Sequence, residues 1–160
     1  MLFPDKKKVQ DLFRDHKAEN PFEGQEKQLS SLLKKSLSLS NSGKHLEAID
    51  EYYSAWNFFE SFKDQEPAEK RAGLRVKLIS VHKRIFEEIA KEINLCCAGN
   101  RYNKAMYLYE LLRIFHDKSR RYLEYEKLQD FFKRMQSIYN SMVSIYKLHN
   151  PKGGDKDQRS

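Results

Sequence analysis

Glycine and proline are both scarce in this sequence, six and four in 160 residues. That scarcity argues against a fold of many short strands joined by tight turns. Nowhere do polar and apolar residues alternate over the length of a strand, so a helical reading meets no β competitor. Cysteine is rarer still. Cys96 and Cys97 are adjacent, which builds no disulfide framework and agrees with a reducing compartment. No apolar run approaches the ~20 residues that a membrane span requires. The opening Met1-Leu2-Phe3-Pro4-Asp5-Lys6-Lys7-Lys8 places its basic cluster after its apolar residues, the reverse of a secretory signal. The expectation is a cytoplasmic protein.

Motifs that carry chemistry are also missing. There is no glycine-rich phosphate loop, no Walker sequence and no zinc-finger spacing. The five histidines, at 16, 45, 82, 116 and 149, are too dispersed for a helical metal pair, and none follows a Glu by three residues. No Ser or Cys is placed beside a His, so nucleophilic catalysis has no candidate. The reading is of a non-enzyme with no catalytic, cofactor-binding or metal-binding residues.

What the chain does have is charge and aromatic rings. A third of it is charged, and it holds nine tyrosines and ten phenylalanines. The net charge of +7 is uneven: residues 44–66 carry two Lys against six Asp or Glu, while 67–92 and 113–134 each carry seven basic against four acidic side chains. One acidic helix in a basic protein means either internal charge matching or two distinct binding faces.

Hydrophobic periodicity divides the chain into helices. Residues 5–16 read as a short amphipathic helix with Val9, Leu12 and Phe13 on one side, followed by a breaker-rich connector around Asn20-Pro21 and Gly24. A helix over about 25–42 carries Leu29, Leu32, Leu33 and Leu39 and ends at Gly43. From Lys44 to Phe62, the residues Ala48, Tyr52, Ala55, Phe59 and Phe62 trace one face, widened by Ile49, Tyr53 and Trp56. A helix apolar over so much of its girth belongs between neighbours. Pro67 opens a helix that runs through Leu74, Leu78, Val81, Ile85, Ile89, Ile93 and Cys96 to Gly99, roughly 48 Å at ~1.5 Å per residue. Cys96 should be core and Cys97 peripheral.

Arg101 to about His116 forms the next helix, and Asp117 to Arg120 the next turn. The last helix, from Arg121 to about Leu148, has a seam at heptad spacing: Tyr125, Leu128, Phe132, Met135, Tyr139, Met142 and Tyr146, flanked by Phe131, Ile138 and Ile145. The flanks favour packing within the chain over pairing with a second copy, hence a monomer over a homodimer. The organisation read from this pattern is a short N-terminal helix and linker over 1–24, a helical-hairpin domain over 25–148, and a disordered tail over 149–160.

Set against itself, the sequence matches at an offset of 57 residues. Leu29 meets Phe86, Leu32 meets Ile89, Leu39 meets Cys96, Ala48 meets Ala105, Tyr52 meets Tyr109, Phe58 meets Phe115, and Gly43 lies opposite Asn100. Each copy is a helix, a tight turn and a second helix, a unit that must stack to bury its faces. Gly43, His45, Ala48, Tyr52 and Ala55 in the first copy, and Asn100, Tyr102, Ala105, Tyr109 and Leu112 in the second, resemble the turn and second helix of a tetratricopeptide-type hairpin. In that family a turn Gly is followed by an aromatic, a small Ala where two helices cross closely, another aromatic and a second Ala. His45 and Leu112 depart from the pattern, the usual Trp and Leu-Gly are missing, and the period differs from the usual 34 or so. The resemblance covers about residues 25–119. The short helical domains that bind protein tails in membrane trafficking share the Ala-x-x-x-Tyr-x-x-Ala pattern.

Both groups are adaptor modules. The resemblance therefore implies an all-α fold of stacked antiparallel hairpins closed by a long C-terminal helix, with a partner segment bound along its concave side. Tyr53 and Phe58, off the main stripe of their helix, are the groove candidates. The alternative is nucleic-acid association through the basic stretch 113–134, with Arg113, Arg120, Arg121 and Lys127 as contacts and Tyr122 or Tyr125 available for base stacking. Asp117, Glu124, Glu126 and Asp130 interrupt that stretch.

Overall fold

A computed structural model describes residues 21–151, with side chains from residue 24. Among the described residues there are five α-helices and no strand: α1 (Pro21–Asn41), α2 (His45–Phe62), α3 (Ala68–Ala98), α4 (Tyr102–Ser119) and α5 (Tyr125–His149), with a 3-10 turn at Lys63–Gln65. The helix expected at 5–16 and the tail beyond residue 151 lie outside the described residues. No described helix is long and apolar enough to cross a membrane.

Contacts follow chain order with one step of overlap. α1 packs on α2 and α3, α2 on α3 and α4, and α3 on α4 and α5, while α4 and α5 pack on each other. The aromatic helix α2 supplies much of the core, since Tyr52, Trp56, Phe59 and Phe62 are all almost wholly buried. Burying a phenol leaves its hydroxyl in need of a partner. Tyr52 meets this by donating to the Leu78 carbonyl of α3 at 2.6 Å, and desolvation drives its pKa far above the ordinary range.

The two tight turns are built alike. In the first, the Lys44 amide reaches the Leu39 carbonyl at 2.9 Å and the Gly43 amide reaches Ser40 at 3.0 Å. In the second, Arg101 reaches Cys96 at 2.7 Å and Asn100 reaches Cys97 at 3.2 Å. Both are Schellman caps, and they require a left-handed residue one position past the C-cap. Gly43 (φ 80°) and Asn100 (φ 60°) fill that place, the pair that the 57-residue offset superposes.

A partly buried polar clasp ties the first turn to α3 and α4. Ser40 Oγ lies 3.2 Å from His45 Nδ1, the other ring nitrogen of His45 bonds Glu92 on α3, and Lys104 on α4 reaches the second Glu92 oxygen at 3.4 Å. Burial raises the Glu92 pKa, but the hydrogen bonds and charges of His45 and Lys104 outweigh it and the net shift is downward.

Several expectations need correction. α1 already begins at Pro21, so Gly24 lies inside a helix rather than in a connector. α4 continues to Ser119, because Ser119 Oγ donates to the Phe115 carbonyl at 2.6 Å and meets His82 on α3. The following turn is anchored by Tyr122 and Leu123, both buried, which delays α5 to Tyr125. Cys97 is as fully buried as Cys96, since α3 packs against four helices and its free side at this end is the one that carries Asn94, Leu95 and Ala98. The heptad seam is rotated as well. α5 packs on two helices, so Leu128, Phe131, Met135, Ile138, Met142 and Ile145 face inward, and Tyr125, Phe132, Tyr139 and Tyr146 stay partly exposed.

Candidate interaction groove

That rotation sets an aromatic ladder between α4 and α5. His116 faces Phe132 with ring centroids 6.1 Å apart, Tyr109 faces Tyr139 at 5.6 Å, and Tyr102 faces Tyr146 at 5.0 Å. The rungs step by sevens down α4 and up α5, as two antiparallel helices in steady register require. Phe132, Tyr139 and Tyr146 remain 44–46 % exposed, so each ring is held on one face and open on the other.

At the Tyr102–Tyr146 end the two helices leave a cavity of about 400 Å³. Met106, Tyr139, Met142, Val143 and the two tyrosines of the last rung make its apolar walls, and Asn103, Lys147 and Asn150 its polar rim. Tyr102 is steadied by hydrogen bonds to Asn100 and His149. An apolar floor with a few polar groups at the edge suits burial of an apolar side-chain row. The sequence signal for this groove was the seven-residue spacing of Tyr102, Tyr109 and His116 against Phe132, Tyr139 and Tyr146, which appears only when α4 and α5 are read together.

The residues singled out from sequence are elsewhere, and the structure brings only some of them together. Tyr53 is half-buried, donates to the Phe115 carbonyl at 2.8 Å and lies under Lys118. Burial raises its pKa well above normal. Phe58 is half-buried against Phe62, 5.1 Å between rings. Neither lines the α4–α5 groove. Arg113 is held by both oxygens of Glu110, 2.9 and 3.1 Å away, Arg120 lies 4.0 Å from Asp117, and Lys127 is exposed on the first turn of α5. Arg121 shares a small cleft with Tyr53. Lys118 pairs with Asp50 and Arg134 with Glu87. Carboxylates thus engage four of the seven cations of 113–134, and the basic stretch is broken up rather than continuous.

Two Ser–His pairs also emerge that the sequence did not reveal. Ser119 Oγ lies 3.0 Å from His82 Nε2, and Ser40 with His45 and Glu92 forms a serine–histidine–carboxylate chain. Ser119 and Ser40 are each 2 % exposed, so a substrate has no approach to either hydroxyl. Their geometry serves packing: His82 stacks on Phe115 at 4.1 Å and against Phe131 at 4.4 Å. Compared with known proteins, the chain matches no family model, no curated protein and no solved structure.

Proposed function

We propose that the protein is an interaction module of two stacked tetratricopeptide-like hairpins closed by α5, and that it receives an amphipathic helix of a partner protein between α4 and α5. The observation that carries this reading is the half-exposed aromatic ladder with an apolar cavity at its end. Exposed rings lined up at helical spacing on a groove are unusual outside binding surfaces. The chain's own packing supports a helix as the occupant. α4 lies against both α3 and α2, and the equivalent place against α5 and α4 holds no described helix. An incoming helix there continues the stack by one element.

Nucleic-acid association through residues 113–134 is the less well supported reading, because the ion pairs divide the positive surface that it needs. The experiment is a pull-down from native cells with nuclease at moderate salt, run in parallel with Met106→Glu and Val143→Arg variants shown by circular dichroism to be folded. The reading expects one protein to be retained by the wild type and lost from both variants. Retention that ignores the groove variants, or recovery of nucleic acid that collapses with salt, rejects it.

A further inference from the structure

The far end of α4 carries a different kind of surface. Around Tyr122, in the turn between α4 and α5, two clefts of about 250 and 310 Å³ adjoin and share Asn57, Arg121 and Tyr122 in their walls. Four cations reach them from four separate segments: Lys63 from the 3-10 turn, Arg75 from α3, Lys118 from α4 and Arg121 from the turn itself.

The platform under these cations is fixed by three contacts. The Tyr122 ring stacks on Trp56 with centroids 4.9 Å apart. Its hydroxyl donates to Asn57 Oδ1 at 2.6 Å, and its carbonyl accepts from Arg75 at 3.3 Å. With its oxygen engaged, Asn57 keeps both amide N–H donors for the cleft. The Arg121 guanidinium sits over the Tyr122 ring, 5.8 Å from its centroid. Such preorganisation lowers the ordering cost of binding an anion.

The ion pairs divide the four cations into two kinds. Lys63 is held by Glu60 at 2.6 Å and Lys118 by Asp50 at 3.9 Å, partly exposed pairs of the kind that contribute little and exchange readily. Among the described residues, neither Arg75 nor Arg121 has a carboxylate within 4.0 Å. Two guanidinium groups with spare donors thus flank an amide on a rigid aromatic base.

We propose that this cleft recognises the phosphoryl group of a phosphorylated side chain on a partner protein. A phosphate monoester brings close to two negative charges and three acceptor oxygens, which matches two guanidinium groups and an amide better than a carboxylate does. The neighbouring charge decides against nucleic acid. The acidic stretch 44–66, with two Lys against six Asp or Glu, supplies Asp50 and Glu60 to these same walls. A polyanion laid across both clefts would meet Asp50 and Glu60 together. A single phosphoryl group in the cleft that Arg75 and Arg121 share meets Glu60 alone, already paired with Lys63. The site stands independently of the α4–α5 groove.

The test is a titration of the full chain with phenyl phosphate at constant ionic strength, read by ¹H–¹⁵N spectra and by the emission of Trp56, the sole tryptophan. The expected result is a saturable shift centred on Asn57, Arg121 and Tyr122, weakened at least ~10-fold in Arg121→Gln and in Arg75→Gln. A phosphoserine-containing peptide should reproduce it, and its unphosphorylated form should not. Absence of saturation, shifts scattered over all basic residues, equal affinity of the variants, or tighter binding of an oligonucleotide through the same arginines each overturns the proposal.

Discussion

Tyr109 on α4 and Tyr139 on α5 face each other at 5.6 Å, ring planes tilted by 46°, as the middle rung of a ladder whose other rungs lie seven residues away on each helix. Aromatic pairs of this kind couple by roughly 0.5–1.5 kcal/mol beyond their buried area. A double-mutant cycle of Tyr109→Ala and Tyr139→Ala, measured by urea unfolding, should return a coupling in that range. A coupling indistinguishable from zero would mean that the rung does not hold α5 in register.

The two Schellman turns predict an asymmetry between equivalent positions. Gly43 holds φ at 80°, where a Cβ costs roughly 1–2 kcal/mol, so Gly43→Ala should lower stability by about that much. Asn100 already carries a side chain at φ 60°. Asn100→Gly relieves that backbone strain but removes the exposed acceptor of the Tyr102 hydroxyl, so it should change stability by no more than about 0.5 kcal/mol. Asn100→Ala keeps the strain, loses the bond and should be destabilising. Equal losses from Gly43→Ala and Asn100→Gly, compared by thermal unfolding, would contradict the account.

Much of the fold was legible because it rests on local pattern. The apolar positions of α2 and α3 fixed their inward faces, and Gly43 marked the first helix end. The errors arose where a second neighbour decides which side of a helix is covered. Cys97 lies about 100° from Cys96 on an ideal helix, yet both are buried because α3 packs against four helices rather than one. The seam of α5 likewise depends on packing against two helices, which no single-helix periodicity contains. The groove and the cleft around Tyr122 were hidden for the same reason. Their residues come from segments far apart in sequence, such as Asn57 with Tyr122 and Tyr102 with Tyr146.

Ala48 lies where α1 and α2 approach closely, for its carbonyl accepts from Ser36 Oγ at 2.8 Å and both residues are fully buried. A larger side chain there must separate the helices or leave its rotamer. Ala48→Leu should cost about 1–3 kcal/mol, while Leu46→Ala on the exposed side of the same turn should stay within ~0.5 kcal/mol. Similar values for the two substitutions in chemical denaturation would show that the crossing tolerates volume.

His82 gives the fold a pH dependence whose sign can be worked out. Burial, helped by the charge of His116, pushes its pKa down from 6.5 to about 3. Between those values the unfolded chain takes up a proton at this site and the folded chain does not. Stability is therefore fully retained above about pH 6.5 and falls on acidification, by up to about 1 kcal/mol per pH unit, until the folded histidine titrates near pH 3. His116, also shifted downward by burial and by Arg120, acts in the same direction. Gln at position 82 keeps a donor for Ser119 but cannot titrate. His82→Gln should thus flatten the curve of unfolding free energy between pH 6 and 4 by about 1 kcal/mol per unit relative to wild type. Carboxylates contribute equally to both curves, so the difference isolates the ring. Parallel curves would show that water or local opening already lets His82 take its proton in the folded state.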